Sequence, residues 1–235
     1  MDLDTFRRYT EWHDHVNQRS YEAPADPWKL VSVGPAEIEH CAPSIGLYGL
    51  GRVEGGDWDQ DPRTVADLFV YEGLVQRFDE GRDWEETRYV EWAREQFESG
   101  ERPRYYEDLN AFLDRRCEYV DDLYERIARE GYRPNAEAGH DNPAAEDNPF
   151  EDAYVHRFEP LVAIGRSGAL LLTEGFHRVC LSAIQGIDEI PVQVVCRHRD
   201  WQRIRDRLAT TEHLPERLAR HRGHPDLADV TEPNR

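Results

Sequence analysis

Apolar residues recur every three or four positions through most of the first 130 residues. Leu3, Phe6, Tyr9, His13 and Val16 predict an amphipathic helix over 2–19, followed by a linker with two prolines over 21–27. Residues 28–33 read as a strand stopped by Gly34-Pro35, and 35–38 open a short helical turn. The stretch 41–61 is irregular and holds Gly46, Gly49, Gly51, Gly55 and Gly56. Helical spacing returns over 62–80, 83–99 and 105–130, with Gly81, Gly100 and Gly131 as stops. These stripes are core packing. A polar, proline-containing stretch over 133–153 reads as a loop or linker. The period then changes. Two short apolar runs, 161–164 and 169–172, flank the turn 165–168 as a hairpin. A helix over 176–185, a strand over 190–195 and a short helix over 199–208 complete the pattern, and the tail from about 222 reads as frayed.

An α+β fold is expected, the 235 residues suffice for one large domain or two small ones, and no internal repeat is seen. No apolar run approaches the roughly 18 residues that cross a bilayer, and the start shows no secretion signal, so a cytoplasmic location is expected. Charge sharpens the picture. Against 48 Asp and Glu stand 29 Lys and Arg, of which only Lys29 is a lysine; the formal charge is −19. Such a chain opposes non-specific nucleic-acid binding and reads as adapted to a salty cell, where salt screens self-repulsion. Residues 155–207 escape this bias with eight Arg and six acids, which makes that stretch a candidate anion site. The four cysteines (Cys41, Cys117, Cys180, Cys196) form no CxxC pair, so neither a zinc site nor a disulfide framework is implied. His13 and His15 point about 200° apart on a helix and read as surface residues.

The segment 171–178 carries the most chemistry. A strand runs through Thr173, Glu174 and Gly175 directly into the helix that contains His177 and Arg178. Thr173 is placed to cap the first turn, and Gly175 lets a ligand approach the backbone. The unpaired first-turn N–H groups and their dipole attract an anion, to which His177 and Arg178 add donors. This describes a phosphate seat of a type distinct from a Walker loop, since no GxxxxGK[ST] occurs. A glycine-rich acidic loop is the second candidate. There Glu54, Asp57 and Asp59 lie within six residues, with Arg52 before them and Trp58 between. Two carboxylates suit Mg²⁺ (Asp57 and Asp59), while Glu54 or Asp57 suits a general base. Glu174 is either a base, an orienter of His177 or a helix-start acid. His198 and Arg199 bind substrate or start a solvated helix.

The succession of a helix ending at Gly131, a hairpin, Gly175-Phe176-His177-Arg178 opening a helix, and Gly186 leading to Ile190-Pro191-Val192 resembles the ParB/sulfiredoxin-like superfamily. The resemblance covers mainly 118–197, with 28–33 similar to the family's first strand. It implies a small mixed sheet with packed helices over 28–208, a helical insertion at about 41–117, an N-terminal helix and linker over 1–27, and a C-terminal helix and tail over 209–235. It also implies that Gly175, His177 and Arg178 bind nucleotide phosphates, with Arg52 facing them. Phe176 stands where sulfiredoxins carry their reactive cysteine, which argues against peroxiredoxin repair. No helix-turn-helix unit follows 197, as partition proteins would require.

Three functions follow from these readings. The first is a nucleotide-dependent enzyme, a Mg²⁺-dependent phosphotransferase or nucleotide hydrolase acting on a small molecule. It requires the acidic loop and the Gly175–Arg178 turn to meet in one cleft. The second is a nucleotide-gated module that binds DNA or a protein. The third is a metal-dependent nuclease. A nucleoside di- or triphosphate is the expected cofactor of the first two.

Overall fold

The computed structural model describes residues 2–42, 45–135, 158–211 and 216–231. Its elements are α1 (Leu3–Ser20), β1 (Val31–Val33), β2 (His40–Cys41), β3 (Arg52–Glu54), β4 (Arg63–Thr64), α2 (Phe69–Phe78) and α3 (Arg88–Glu98). A short α4 (Leu109–Ala111) then runs through a π-helical stretch (Phe112–Cys117) into α5 (Glu118–Glu130). β5 (Leu161–Ile164), β6 (Leu170–Glu174), α6 (Phe176–Ile184), β7 (Ile190–His198), α7 (Arg199–Thr210), α8 (Glu216–Ala219) and α9 (Ala228–Thr231) follow. Among the described residues no helix is long and apolar enough to cross a membrane.

The architecture is α+β with a mixed sheet ordered β1-β7-β5-β6-β2-β4. β7 is its spine. Along one edge it pairs first with β1, antiparallel (Val33 opposite Ile190), and then with β3, parallel (Arg52 opposite Cys196). Along the other edge it pairs with β5 in parallel, and β5 turns antiparallel into β6. Continuous apolar strands follow from burial on both faces. Val162, Leu172, Val192 and Val194 join the larger core with α2, α3, α5 and α6, whereas Leu161, Ala163, Leu171 and Val195 meet Phe6 of α1 and Leu50. At Gly73 a Cβ would lie 2.4 Å from the Tyr89 Cβ, so α2 and α3 approach this closely because residue 73 lacks a side chain.

Several local expectations change. The stretch 41–61 is not wholly irregular: β2 and β3 lie in or at the edge of it and join the sheet. His13 is buried rather than superficial, its Nδ1 3.2 Å from the Leu50 carbonyl, and burial lowers its pKa. The part of the tail that is described is docked. Asp226 and Leu227 are buried, and Asp226 bonds Arg197, Trp201 and Arg205. All four cysteines are buried free thiols. Of the expected linker 133–153, residues from 136 onward lie outside the described set, as does the tail beyond 231.

Candidate functional site at the start of α6

β6 ends at Glu174, and the chain enters α6 through Gly175 in the left-handed region, φ 87°. A Cβ there would also lie 2.9 Å from the Pro160 Cα, so both conformation and space require glycine. Thr173 does not cap the helix as expected. Its hydroxyl donates instead to the Leu161 carbonyl at 2.9 Å, across the hairpin. The first intrahelical bond runs from the Val179 N–H to the Gly175 carbonyl, and among the described residues no side chain caps the start. The amides of Phe176, His177 and Arg178 therefore present the positive end of the helix dipole.

Arg178 and His177 leave this turn in different directions. The Arg178 guanidinium is committed to the chain itself: it donates to Asn135 Oδ1 at 2.7 Å, to the Tyr132 hydroxyl at 3.2 Å and to the Phe158 carbonyl at 3.0 Å, with Glu159 at 3.5 Å. Glu159 in turn accepts from the Tyr132 hydroxyl at 2.7 Å and the Asn135 amide at 2.6 Å. Burial raises the Tyr132 hydroxyl far above its ordinary pKa, so it stays a donor. The cavity beside Arg178, lined by Leu123, Ile127 and Tyr132 among others, measures about 30 Å³, room for roughly one water rather than a nucleotide. Arg178 is thus an anchor for the segments at 132–135 and 158–159.

His177 faces the helical segment between β4 and β5. It is buried, with Nε2 3.1 Å from the Tyr89 hydroxyl and Nδ1 3.1 Å from Nη2 of Arg116. Burial, then the charges of Arg116 and Arg104, hold its pKa well below the usual 6.5, so the ring is neutral at physiological pH. Arg116 is itself 3% exposed, and among the described residues no carboxylate pairs with it.

The acidic loop occupies the other end of the hairpin. Asp59 accepts from the Arg166 amide at 2.6 Å and from its guanidinium at 2.8 Å, against Gly165 at the end of β5. Arg166 also binds Asp57 at 2.9 Å and the Gly56 carbonyl at 2.7 Å. Burial raises the Asp59 carboxyl, but the side-chain and amide hydrogen bonds from Arg166 outweigh it, and the pKa is lowered. Leu161, not Ile164, faces Glu174, so the four residues of β5 separate this loop from Gly175 by about 13 Å. The cleft that a phosphotransferase needs, with Glu54, Asp57 or Asp59 beside the α6 turn, is not formed.

The loop also fits Mg²⁺ poorly. A cation placed at Asp57 and Asp59 meets the guanidinium that already holds both, and among the described residues no group of three or more His, Cys, Asp or Glu is arranged to hold a metal. Arg52 lies in β3 on the α1 side of the sheet, 3.2 Å from Glu54, with its Nε buried and making no hydrogen bond. Trp58 packs on His198, ring centroids 5.7 Å apart. His198 is buried and accepts from the Asp200 amide at the start of α7, so it is neither a solvated residue nor at the α6 turn.

Sequence reasoning missed Arg116, Tyr89, Glu159 and Arg166. For Arg116 a signal existed. It falls on the stripe Phe112, Val120, Leu123 and Ile127, where an arginine at a core position demands a partner. Comparison with protein families, with curated proteins and with solved structures finds no match to the chain.

Proposed function

We propose that the chain binds a phosphate-bearing ligand of the nucleotide class at the first turn of α6 and does not transfer its phosphate: a binding module of the ParB/sulfiredoxin-like type. The observation that carries this reading is the uncapped helix start at Gly175–His177, entered from a strand through a left-handed glycine. The order hairpin, Gly-x-His-Arg helix and Ile-Pro-Val strand supports the same type. Separation of the acidic loop from that turn favours binding over phosphotransfer and over metal-assisted hydrolysis. The charge of −19 favours a protein over DNA as the partner that a bound nucleotide would gate.

The test is calorimetric titration with ATP, ADP, CTP and GTP, each with Mg²⁺ in molar KCl, alongside a phosphate-release assay. Binding of one of them without release is expected. Absence of binding by all four overturns the assignment, and release that depends on Asp57 or Asp59 restores the enzyme.

A further inference from the structure

A groove of about 350 Å³ lies between α7 and the segment that begins with α8, more than ten times the space beside Arg178 and within the range of small-molecule sites. From α7 it takes Asp200, Arg203, Ile204 and Arg207, which fall at i, i+3, i+4 and i+7 and so share one stripe of the helix. Leu218, Arg220 and His221 complete the lining. Three arginines against one carboxylate reverse the balance of a chain with 29 basic and 48 acidic residues. That one carboxylate is already engaged, since Asp200 Oδ1 accepts from Nη1 of Arg203 at 2.7 Å. Among the described residues the Arg207 side chain makes no hydrogen bond or ion pair. Arg220 bonds only His221, its Nε donating to the ring Nε2 at 3.1 Å.

His221 holds Arg220 in place. Burial and then the Arg220 charge lower the pKa of its ring, which is neutral at physiological pH and accepts the Nε–H. The ring stands edge-on to the buried Trp201, with centroids 5.4 Å apart, so Arg220 is fixed by its Nε edge and keeps its Nη groups for a ligand. Leu218 is buried in the larger core and Ile204 packs against that core, which puts apolar surface among the cations. We propose that this groove binds a small organic polyanion, one that carries at least two carboxylate or phosphate groups on a carbon skeleton. Arg207 and Arg220 receive the charged groups in their planar forks, and Ile204 and Leu218 meet the skeleton. A lone inorganic ion would fill little of the volume and would leave the apolar part of the lining in water. The site lies apart from the first turn of α6 and does not rest on the reading given under Proposed function.

The test is calorimetry of the full chain with citrate and with 3-phosphoglycerate, at constant ionic strength in KCl. The variants are Arg207→Gln, Arg220→Gln, the two combined, and Arg8→Gln, which removes the same charge from an exposed position of α1 outside the groove. All three arginines are exposed, so the melting temperatures should hardly change. At least one of the two anions should bind the wild type one to one. Each groove variant should weaken it about fivefold and the double variant about twentyfold, with Arg8→Gln unchanged. Failure of both anions to bind at millimolar concentration overturns the inference. So does binding that survives in the double variant, or that Arg8→Gln weakens as much. Sulfate bound as tightly as the organic anions marks an adventitious ion only and overturns the assigned class. ATP separates this site from the α6 reading: ATP lost together with citrate in the double variant supports the groove and removes the nucleotide from α6, whereas ATP retained while citrate is lost supports the groove and leaves α6 standing.

Discussion

Replacing Asp226 with alanine removes the carboxylate on which the C-terminal segment closes. Asp226 has a side chain only 2% exposed and receives Nη2 of Arg197 at 2.6 Å and the Trp201 indole N–H at 2.9 Å. Arg205 donates to its backbone carbonyl and lies 3.4 Å from its carboxylate. Without the carboxylate, Arg197 is a buried charge with its partner deleted and the Trp201 N–H is orphaned. Breaking such a pair from one side costs about 3–5 kcal/mol, a large part of the 5–15 kcal/mol that a typical domain has. At an m-value near 2–3 kcal/mol/M, the urea midpoint should fall by about 1.5 M. Asp229→Ala is the control, since Asp229 is a third exposed and Arg205 keeps Asp226; about 1 kcal/mol or less is expected. The same carboxylate sets an acid limb. Burial raises its pKa, but Arg197, Arg205 and Trp201 outweigh that and bring it from 3.8 to about 2. The folded pKa lies below the unfolded one, so the contribution, about 2 kcal/mol, is complete above pH 4 and disappears between pH 4 and 2. Asp226→Asn should lose that limb. A loss below 1 kcal/mol in Asp226→Ala, or an unaltered acid limb in Asp226→Asn, would refute the clasp.

Three further outcomes are expected. Gly73→Ala forces a Cβ to 2.4 Å from that of Tyr89 and should cost about 1–3 kcal/mol in urea unfolding; a neutral substitution would disprove the tight α2–α3 crossing. Asp59→Asn should lower stability through its lost ion pair with Arg166 yet leave nucleotide affinity within about twofold, given the distance to α6, and a drop of about tenfold (roughly 1.4 kcal/mol) would return the acidic loop to the site. Burial pushes the thiols of Cys117 and Cys180 up to about 12 and that of Cys196 to about 11, so an aromatic disulfide reagent at pH 8 should label the native protein slowly and release four equivalents in urea. Rapid native labelling contradicts that burial.

The longer elements were readable because each carries its own period. α1, α3, α5, the β5–β6 hairpin, α6 and β7 all follow from apolar spacing within one segment. β2, β3 and β4 were not readable, since these two- and three-residue strands carry no alternation of their own and form on the edges that β6 offers to β2, β7 to β3 and β2 to β4. The tail read as frayed because it has few apolar groups, and what docks it is one carboxylate meeting two arginines on β7 and α7. At the site, the strand–glycine–helix turn was legible and the partners were not. Arg178 turns inward because Glu159, 19 residues earlier, is folded beneath it. Arg116, Arg197 and Arg205 all sit at positions of apolar stripes, which identifies a misplaced arginine as the signal to follow in a chain this acidic.

The placement of β7 has a consequence for how the polypeptide is made. Among the described residues Val31–Val33 find their sheet partner only in Ile190–Val192, so the first strand stays single until about 160 further residues have left the ribosome, roughly 10–30 s at common synthesis speeds. Throughout that interval the apolar faces of α2, α3 and α5 have no β7 to cover them, because the strand that joins every layer is among the last to emerge. A nascent chain of this kind is exposed to aggregation for most of its synthesis, and a high density of negative charge is well suited to protecting it during that wait.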